Sequence, residues 1–404
     1  MSNKIDIRAL LHEFNGKKIL VTGGTGFIGG RLIEILCRYT DAEVHVFLRN
    51  LARASRISRF PVTMIKGDIL NYDDVQNSTR KMDYIFHCAY GNKGTPESRE
   101  NINAQGTENM LRASRGPDLK RFVHLSTMVV YGLRKDGYIS ENQERVQSNN
   151  VYSDSKLLAE KLAEEYYQNH NVPITILQPS AVYGPYAPTW TVRIIDMLKR
   201  NKVILIDNGN GVCNQVYIDD LILAMLLSAT EDAAIGQRYL ISSHETISWK
   251  DFYTSFCDLM EVENRFVYMD NNEALDYYNK STRDKRLSEE VRAILQEYPE
   301  IKTRIARTKP GKYYSLLKQK IKGKPAGKKT ASKKTITGAG SAHNSSDVNA
   351  DPPLPPDQID FYSSQAVVDS TKAKEELGYV SQYSFRSGME RTAKWIEWSN
   401  ILNT

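Results

Sequence analysis

Tyr152 and Lys156 are residues whose types and spacing could transfer a proton. They lie four positions apart, and the segment after them, Leu157 to Lys161, favours a helix, so both side chains should share one helix face. A free tyrosine has a pKa of about 10, and a neighbouring ammonium group lowers it. The spacing therefore predicts a tyrosine that exchanges protons with a substrate near neutral pH. A purely structural pair is the alternative, because this spacing is common in helices.

A glycine-rich turn near the N-terminus could bind the phosphates of a dinucleotide. It follows the apolar run Lys18 to Val21, which suits a buried strand, and it precedes a helical pattern that begins at Arg31. In a strand-to-helix turn, glycines allow a tight bend and let a pyrophosphate approach the amides at the start of the helix. The residues expected to contact the cofactor in this turn are Gly23, Gly26, Phe27, Ile28 and Gly29.

Alternating strands and helices must position these residues. From Lys17 to about Leu240, short apolar runs alternate with helical segments, which predicts a parallel sheet covered on both faces. We therefore predict an α/β fold: a Rossmann-type doubly wound parallel sheet with a smaller C-terminal α/β substrate domain. The predicted Rossmann domain covers residues 1–183 with a further part near 203–243, and the substrate-binding part covers 184–202 and 244–404. Further helices are expected at 249–261, 286–298, 370–378 and 389–398.

The end of the second predicted strand bears on the choice of cofactor. Val44 to Leu48 forms this strand, which ends at Arg49, with Arg53 one helical turn beyond. An acidic residue here would bind the 2′-hydroxyl of NAD, whereas Arg49 suits the 2′-phosphate of NADP. NADP is therefore the predicted cofactor and NAD the alternative. A further alternative is that Arg49 lies in a solvated basic loop and has no role in cofactor binding. The third strand ends near Asp68 and Ile69, where an adenine could lie.

Two later strands also carry polar residues. His87 lies inside the apolar run Tyr84 to Ala89, so we expect a core histidine rather than a catalytic base. The fifth strand, Arg121 to Thr127, brings hydroxyl groups to its carboxyl end. Open parallel sheets bind ligands at that edge. Thr127 is therefore a candidate site residue.

The positive charge of the chain belongs to one segment. The formal net charge is +6, yet thirteen basic residues and no acidic residue fall within 302–334, and the remainder carries −7. The surrounding composition of Lys, Gly, Ser, Ala and Pro predicts a flexible insertion near 302–358, because it cannot bury enough apolar surface to become ordered. The basic segment could contact an anionic membrane surface or a nucleic acid, or help to cover the substrate site. A solvated insertion is the alternative.

Cysteine usage and hydropathy predict the cellular setting. The four cysteines are widely spaced without a CxxC pair, which predicts free thiols in a reducing cytoplasm and no metal site. The start of the chain lacks the apolar region of a signal peptide, and the longest apolar run, Leu221 to Ala229, is too short to span a bilayer. The preceding Asp219 and Asp220 are interpreted as a helix cap. We predict a cytoplasmic protein, with peripheral membrane contact as an alternative.

The order of these motifs resembles the extended short-chain dehydrogenase/reductase superfamily, and within it the NAD-dependent epimerase/dehydratase family. This superfamily contains nucleotide-sugar epimerases, dehydratases and reductases. The resemblance covers roughly Lys17 to Ile241, with a weaker match from Ser370 to Trp398. The matching elements are Thr22 to Gly29, Asp68-Ile69, His87-Cys88-Ala89, Asn103 to Thr107, Leu125 to Thr127 with Val130-Tyr131-Gly132, Tyr152 with Lys156, Pro179 to Pro185, and Val216 to Asp220.

The resemblance implies a role for each matching residue. Thr127 would hydrogen-bond to the reacting substrate oxygen, Tyr152 would exchange a proton with that oxygen, and Lys156 would hold the ribose hydroxyls of the cofactor. A homodimer through two helices beside the sheet, including the Tyr152 helix, is implied as well. Further cofactor contacts are implied for Ala89 and Asn103, the latter in a supporting position, and along the nicotinamide for Pro179, Ser180 and Val182.

The resemblance leaves the reaction open. Family dehydratases carry an acidic pair after the active-site threonine, whereas this chain has Met128 and Val129, which argues against a 4,6-dehydratase. Many nucleotide-sugar epimerases carry an arginine where this chain has Cys213-Asn214-Gln215, which weakens, without excluding, a nucleotide-diphosphate substrate.

Three classes of function follow from these residues. The leading prediction is an NAD(P)-dependent epimerase or ketoreductase that acts by hydride transfer on a secondary alcohol or ketone of a sugar. A nucleotide-linked sugar is the favoured substrate class. The second is an NADPH-dependent carbonyl reductase or hydroxysteroid-type dehydrogenase with an apolar substrate. The third, a cofactor sensor or nucleic-acid-binding protein without catalysis, is disfavoured by the intact Thr127, Tyr152 and Lys156.

Overall fold

A computed structural model describes residues 6–91, 94–148, 150–200, 203–263, 266–283 and 353–403. The chain divides into two compact units, one formed by residues 1–271 and 357–404 and the other by residues 272–356. In the second unit, residues 272–283 are helical. The basic segment 302–334, the helix predicted at 286–298 and most of the predicted insertion lie outside the described residues. The predicted boundary between Rossmann and substrate-binding parts stays a prediction, since residues of both belong to the first unit.

The strands and helices alternate as the sequence pattern predicts. The strands are β1 (Lys18–Thr22), β2 (Glu43–Leu48), β3 (Thr63–Lys66), β4 (Tyr84–His87), β5 (Arg121–Leu125), β6 (Tyr138–Ile139), β7 (Ile174–Pro179), β8 (Ala181–Tyr183), β9 (Val203–Ile206), β10 (Val212–Cys213), β11 (Gln215–Tyr217), β12 (Arg238–Ile241), β13 (Ile247–Ser248), β14 (Phe266–Met269) and β15 (Val367–Val368). The α-helices are α1 (Ile7–His12), α2 (Phe27–Tyr39), α3 (Tyr72–Thr79), α4 (Pro96–Ala113), α5 (Val151–His170), α6 (Arg193–Lys199), α7 (Ile218–Thr230), α8 (Trp249–Met260), α9 (Pro356–Ser363), α10 (Thr371–Leu377) and α11 (Phe385–Ser399). Short 3₁₀ turns lie at Leu51–Arg53, Met128–Tyr131, Asp207–Gly209, Asp232–Ala234 and Ile401–Asn403, and a π-helical turn lies at Pro188–Val192.

Seven parallel strands form the central sheet in the spatial order β12, β7, β5, β4, β1, β2, β3. The chain order runs outward in both directions from the β1–β4 pair, which makes that pair the topological switch point where doubly wound sheets bind ligands. The glycine turn directly follows β1 and therefore opens at the switch point. The predicted doubly wound parallel sheet is confirmed.

Helices cover both faces of this sheet, because its strands are apolar on both sides. Ile19 and Val21 of β1 belong to the core that packs against α2 and α7, whereas Leu20 and Ile85 belong to the core beneath α3, α4 and α5. The second core contains Met110 of α4, and α4 packs along α5. The sheet thus holds the Tyr152 helix on one face and the glycine-turn helix on the other.

Small two-stranded sheets continue the chain beyond the carboxyl edge of the central sheet. Within the described residues, β8 pairs with β11, β9 with β14, β10 with β13 and β6 with β15. The β6–β15 pair returns the C-terminal part of the chain to the segment that follows β5. Asn214 adds to this connection, because its side chain donates to the Ala366 carbonyl oxygen at 2.8 Å and accepts from the Val368 amide at 2.8 Å.

The interpretation of Asp219 and Asp220 as a cap before α7 is wrong. Both residues lie inside the first turn of α7, and Tyr217 is the N-cap. Their carboxylates instead serve distant partners: Arg31 donates to both Asp219 oxygens at 2.7 and 2.9 Å, and the Gln382 amide donates to Asp220 at 2.6 Å. Among the described residues, no helix is both long enough and apolar enough to cross a membrane.

The predicted flexible insertion extends too far toward the C-terminus. Pro356 to Gln358, which fall within it, form the first turn of α9. This helix is ordered by long-range packing, because the Phe361 ring lies 5.2 Å from Trp249 and 6.0 Å from Trp190. The sequence-predicted helix at 370–378 is confirmed, with Gly378 as a left-handed C-cap at φ +67°.

Candidate active site

The glycine turn has the geometry that a bound pyrophosphate requires. Gly23 has φ +69°, and a Cβ at this position would lie 2.5 Å from the Cys88 carbonyl oxygen. A Cβ on Gly29 would lie 2.6 Å from the Gly23 carbonyl oxygen, so only glycine allows the helix to begin this close to the strand. Gly26 is the N-cap of α2 and has no side chain that could occupy the first helical amides. These amides are therefore free to meet an anion at the positive end of the helix.

A cavity of about 550 Å³ lies beside this turn, and we call it the Lys156 cavity. Its volume falls within the range of small-molecule sites. Phe27 and Ile28 bring the turn to the cavity, and the chain after β7 forms the facing wall. The sequence-predicted residues that line it are Phe27, Ile28, Thr127, Tyr152, Lys156, Pro179, Ser180 and Val182.

Helix α5 carries both Tyr152 and Lys156 to the Lys156 cavity. The Asn150 side chain caps the helix by accepting hydrogen bonds from the Tyr152 amide at 3.0 Å and the Ser153 amide at 3.5 Å. The Lys156 ammonium group donates to the Leu125 carbonyl oxygen at 2.7 Å and lies 5.3 Å from the Tyr90 ring centre. The Tyr90 and Tyr152 rings meet edge to face at 5.1 Å. The predicted placement on one helix face is confirmed.

Burial shifts the pKa of both groups. The Lys156 side chain is buried, which lowers its pKa to about 8. The ring of Tyr152 is partly exposed, yet burial of its phenol end raises the pKa, and a hydrogen bond with Thr127 acts in the opposite direction. In this structure Tyr152 is therefore protonated at neutral pH and can act as a proton donor. The predicted depression of the Tyr152 pKa is assigned to Lys156 and a cationic nicotinamide together, and Lys156 by itself does not produce it.

Thr127 and Asn103 occupy different positions relative to the cavity. Thr127 follows β5, is buried, and accepts a hydrogen bond from the Val129 amide at 3.5 Å, which starts the turn Met128–Tyr131. Asn103 is buried in α4, where its side chain accepts from the Gly91 amide at 2.7 Å and donates to the Ser155 hydroxyl at 3.2 Å. Asn103 thus connects the loop after β4 with α5.

His87 is a core histidine, as predicted. Its Nδ1 lies 2.8 Å from the Thr22 hydroxyl, and its Nε2 lies 3.1 Å from the Thr107 hydroxyl. Burial lowers its pKa to about 3, so the ring stays neutral. The Ala89 amide donates to the same Thr22 hydroxyl at 3.2 Å, so the position of Ala89 is fixed from within the core.

The remaining predicted cofactor residues lie at the ends of β2 and β3, and none of them lines the Lys156 cavity. Arg49 is exposed immediately after β2. The Asp68 side chain accepts from the Leu70 amide at 3.0 Å, and Ile69 packs against Gly106, where a Cβ would lie 2.8 Å from the Ile69 side chain. Within the described residues, no group of three or more His, Cys, Asp and Glu could hold a metal ion.

A second cavity of about 940 Å³ adjoins the first, and we call it the Arg193 cavity. Five residues line both cavities: Val129, Tyr152, Thr189, Trp190 and Phe361. The wall of the Arg193 cavity is largely aromatic and apolar, with the guanidinium groups of Arg134 and Arg193 and the carboxylates of Asp357 and Asp360 as its charged groups.

The sequence analysis did not predict that α9 forms part of the wall of the Arg193 cavity. The Asn150 side chain, whose oxygen caps α5, also donates from Nδ2 to Asp357 at 3.2 Å. This bond connects α9 directly to the start of the Tyr152 helix. The available signals were Pro356, which suits the first turn of a helix, and the aromatic pair Phe361-Tyr362. These signals were obscured because the composition of the neighbouring residues is typical of a flexible insertion.

A buried charged network supports α5 behind the cavities. Glu160, one turn after Lys156, is fully buried and pairs with Arg145 at 2.8 Å. Arg145 also pairs with Glu164 at 2.7 Å, and Gln178 donates to Glu160 at 2.9 Å. Because each charge has a close partner, the network fixes the rotation of α5 that aims Tyr152 and Lys156 at the cavity.

A glycine turn between strand and helix that opens into the same cavity as a tyrosine–lysine pair is an arrangement typical of Rossmann-type oxidoreductases. Residues 19–242, more than half of the chain, match the model of the NAD dependent epimerase/dehydratase family. The chain belongs to this family. The prediction of an enzyme of the extended short-chain dehydrogenase/reductase type is thereby confirmed at the level of the family.

Two curated relatives and one solved structure illustrate the similarity. A dTDP-D-glucose 4,6-dehydratase of Dictyostelium discoideum is 30% identical over 57% of this chain, and the match spans 59% of that protein. A Bacillus subtilis protein described as an uncharacterized UDP-glucose epimerase, YtcB, is 31% identical over 57% of this chain and 78% of its own length. The epimerase Mth375 of Methanothermobacter thermautotrophicus has the same fold, with a TM-score of 0.69, 18% identity and 98% of each chain covered.

Proposed function

We propose that this chain is an NAD(P)-dependent epimerase or ketoreductase that acts on a secondary alcohol or ketone of a nucleotide-linked sugar. The observation that carries the proposal is the position of Tyr152, which lines both the Lys156 cavity and the Arg193 cavity. A dinucleotide in the first cavity and a substrate in the second would meet at the Tyr152 hydroxyl. Family membership supports the dinucleotide, and the two curated relatives support the nucleotide-sugar substrate.

The proposed roles follow from the positions of three side chains. A bound nicotinamide supplies the hydride exchange. The Tyr152 hydroxyl donates its proton to the substrate oxygen when a ketone is reduced and accepts it when an alcohol is oxidised. Thr127 hydrogen-bonds to the same oxygen and orients it. The Lys156 ammonium group holds the ribose hydroxyls, and its charge together with that of an oxidised nicotinamide favours the phenolate form of Tyr152.

The Arg193 cavity offers groups for each part of a nucleotide sugar. Arg134 and Arg193 are the cations that a diphosphate would engage, since guanidinium groups form paired hydrogen bonds with phosphate. Trp190 and Phe361 are flat surfaces for a base or a sugar ring. Cys213 and Gln215 are buried, and the Asn214 side chain is hydrogen-bonded to the backbone of Ala366 and Val368. These positions therefore do not offer the diphosphate contact that many epimerases have there.

The residues after Thr127 favour epimerisation or reduction over dehydration. Met128 and Val129 both line the Lys156 cavity and carry no acid or base. Elimination of water needs an additional acid–base pair beside the reacting carbon. The similarity to 4,6-dehydratases therefore supports the substrate class rather than the dehydration step.

The test is turnover of UDP- and dTDP-linked hexoses with each nicotinamide dinucleotide, followed by NMR of the sugar products. We expect Tyr152→Phe to lower kcat/KM by about 100-fold or more, because general acid–base catalysis contributes on that order. Its dinucleotide affinity should change less than about twofold. Tyr167→Phe is the matched control, since Tyr167 lies on the same helix and is 37% exposed, against 38% for Tyr152. Full activity in Tyr152→Phe, or wild type that turns over none of these sugars, would refute the proposal.

For the cofactor, we propose NADP with NAD as the second candidate. Arg49 supports NADP, because it is exposed directly after β2, where a 2′-phosphate would lie. The description of the family supports NAD. Titration with NADPH and NADH decides between them: Arg49→Ala should lose about tenfold in NADPH affinity alone, whereas the exposed control Arg80→Ala should lose none. Equal loss for both dinucleotides, or none, would favour NAD.

A carbonyl reductase or hydroxysteroid-type dehydrogenase is the second candidate function. The observation that favours it is the largely apolar wall of the Arg193 cavity, which includes Leu133, Val146 and Met197. The same assay with steroid and aromatic ketones tests it. Reduction of these ketones together with inactivity toward every nucleotide sugar would replace the leading proposal. A homodimer and a cytoplasmic location stay predictions.

A further inference from the structure

A third cavity, of about 620 Å³, lies away from the proposed reaction site, and we call it the Trp395 cavity. It is bordered by α2, the loop after β2, the turn after β8, the start of α7 and α11. It shares no lining residue with the Lys156 cavity or the Arg193 cavity. A ligand bound there would therefore occupy a separate site, and the inference does not rest on the proposed reaction.

Helix α11 presents a basic and aromatic face to this cavity. The helix buries Gly388, Met389, Thr392 and Ile396 against the core. Six other side chains of the helix line the cavity: Ser387, Glu390, Arg391, Lys394, Trp395 and Trp398. The Trp398 side chain is 72% exposed, which leaves a large flat ring at the mouth with little protein to cover it.

The opposite wall carries more arginines than carboxylates that could pair with them. Glu34 has Arg31 at 3.0 Å and Arg38 at 3.2 Å, while Arg56 and Arg59 reach it only at 3.8 and 3.7 Å. Asp219 neutralises Arg31. Four guanidinium groups, of which Arg38 lies outside the cavity lining, thus share two carboxylates. From the other side Arg391 and Lys394 add positive charge and Glu390 adds one negative charge, which also pairs with Arg386 at 3.3 Å. The cavity has an excess of positive charge that an anion would balance.

Two buried donors on facing walls lack acceptors. Arg56 Nε and Trp395 Nε1 are both inaccessible to solvent, and neither has a hydrogen-bond partner in the part of the chain that the structure describes. Tyr186 lies between them, with its ring 4.2 Å from the Arg56 guanidinium and 4.9 Å from the Trp395 ring. Leaving buried N–H groups without acceptors costs free energy. A ligand oxygen would recover it only after a shift of the Arg56 and Trp395 side chains that exposes these nitrogens, so the excess positive charge carries the inference.

We propose that the Trp395 cavity binds a phosphorylated ligand that carries a planar ring, of the size of a mononucleotide. The phosphate lies against Arg56, Arg59 and Lys394, because guanidinium and ammonium groups bind phosphate through charge-assisted hydrogen bonds. The ring stacks on Trp398, because an exposed indole binds flat rings. The volume of the cavity is within the range that encloses such a ligand.

The test is a titration of the full chain, saturated with its dinucleotide, with AMP and UMP at low ionic strength. Saturable quenching of tryptophan fluorescence is expected, and Trp398→Phe should remove most of it, since Trp395 also lines the cavity. Arg59→Gln and Lys394→Gln should each weaken mononucleotide binding by about tenfold, as measured by calorimetry. The matched controls Arg80→Gln and Lys374→Gln change exposed cations outside the cavity and should bind as wild type does.

Three outcomes would overturn the inference. The first is the absence of saturable AMP or UMP binding at millimolar concentration. The second is binding that Arg59→Gln and Lys394→Gln leave unchanged, which would put the ligand in another cavity. The third is binding of inorganic phosphate as tight as that of AMP, or binding of an oligonucleotide without binding of AMP or UMP. Either result would show that the ligand is not a mononucleotide with a planar ring.

Discussion

Lys156 keeps a positive charge on a side chain that is buried except where it borders the Lys156 cavity. Its ammonium group donates to the Leu125 carbonyl oxygen, and Glu160 one turn away acts on it through the buried interior. Burial nevertheless dominates and lowers the pKa of Lys156 to about 8. The type and position of Lys156 could be predicted from the sequence. The size of its pKa shift could not, because it depends on packing by residues distant in the sequence, such as Leu125 of β5 and Cys88 and Tyr90 after β4.

We predict that the dinucleotide affinity of the protein falls as the pH rises through about 8. Below this pH Lys156 carries the charge that holds the ribose, and above it the amine is neutral. The loss should approach tenfold between about pH 7 and pH 9. Titrations of wild type, Lys156→Met and the exposed control Lys161→Met measure it. Lys156→Met should bind weakly at both pH values, and a wild-type affinity that does not change with pH would contradict the prediction.

At the scale of elements, local segments were predictable and long-range ones were not. The strand β1, the glycine turn and α2 follow from a short apolar run, three glycines and a helical pattern, all within 22 residues of one another. Helix α9 depends instead on Trp190 and Trp249, which lie more than a hundred residues earlier in the chain. No local pattern reports such contacts, so α9 was partly assigned to the insertion.

Helix α9 should set substrate affinity through Phe361. This ring lines both the Lys156 and Arg193 cavities, so Phe361→Ala removes part of the wall between cofactor and substrate. We expect KM for the sugar substrate to rise about tenfold, with kcat changed less, and the free energy of unfolding to fall by about 2 kcal/mol for a half-buried aromatic ring. Steady-state kinetics and chemical denaturation measure the two effects.

The control for this prediction is Phe266→Ala, which removes a half-buried ring from β14 that lines neither cavity. It should lose a similar amount of stability and keep its KM. If both variants changed KM to the same extent, the effect of Phe361 would be one of general destabilisation.

For the molecule as a whole, two adjacent carboxylates connect elements that are distant in the sequence. Asp219 joins α7 to Arg31 of α2, and Asp220 accepts hydrogen bonds from the Gln382 and Tyr383 amides just before α11. The sequence marked these residues only as a possible cap. Their partners Gln382 and Arg31 lie 162 and 188 positions away in the sequence.

Asp220 should make the stability of the whole chain depend on pH. Burial raises its pKa to about 7, opposed by the two amide bonds, whereas its unfolded pKa is near 3.8. The folded state therefore binds the proton more tightly, so the contribution to stability is fully present below about pH 4 and is lost as the pH rises through about 7. Asp220→Asn resembles the protonated acid and lacks this dependence. At pH 8 its free energy of unfolding should exceed that of wild type by about 2 kcal/mol. A difference of about three units between the folded and unfolded pKa of Asp220 sets an upper limit of roughly 4 kcal/mol.

Denaturant unfolding of wild type and Asp220→Asn between about pH 4 and pH 8 measures this difference. The two proteins should have nearly equal free energies of unfolding at the acid end and diverge toward the basic end, since only wild type must bury an ionised carboxylate there. Asp41→Asn, an exposed substitution, corrects for the general effect of removing one negative charge. A wild type that gains stability over Asp220→Asn as the pH rises would mean that the two amide bonds outweigh burial, and that the Asp220 carboxylate is held ionised as a permanent connection between α7 and the segment before α11.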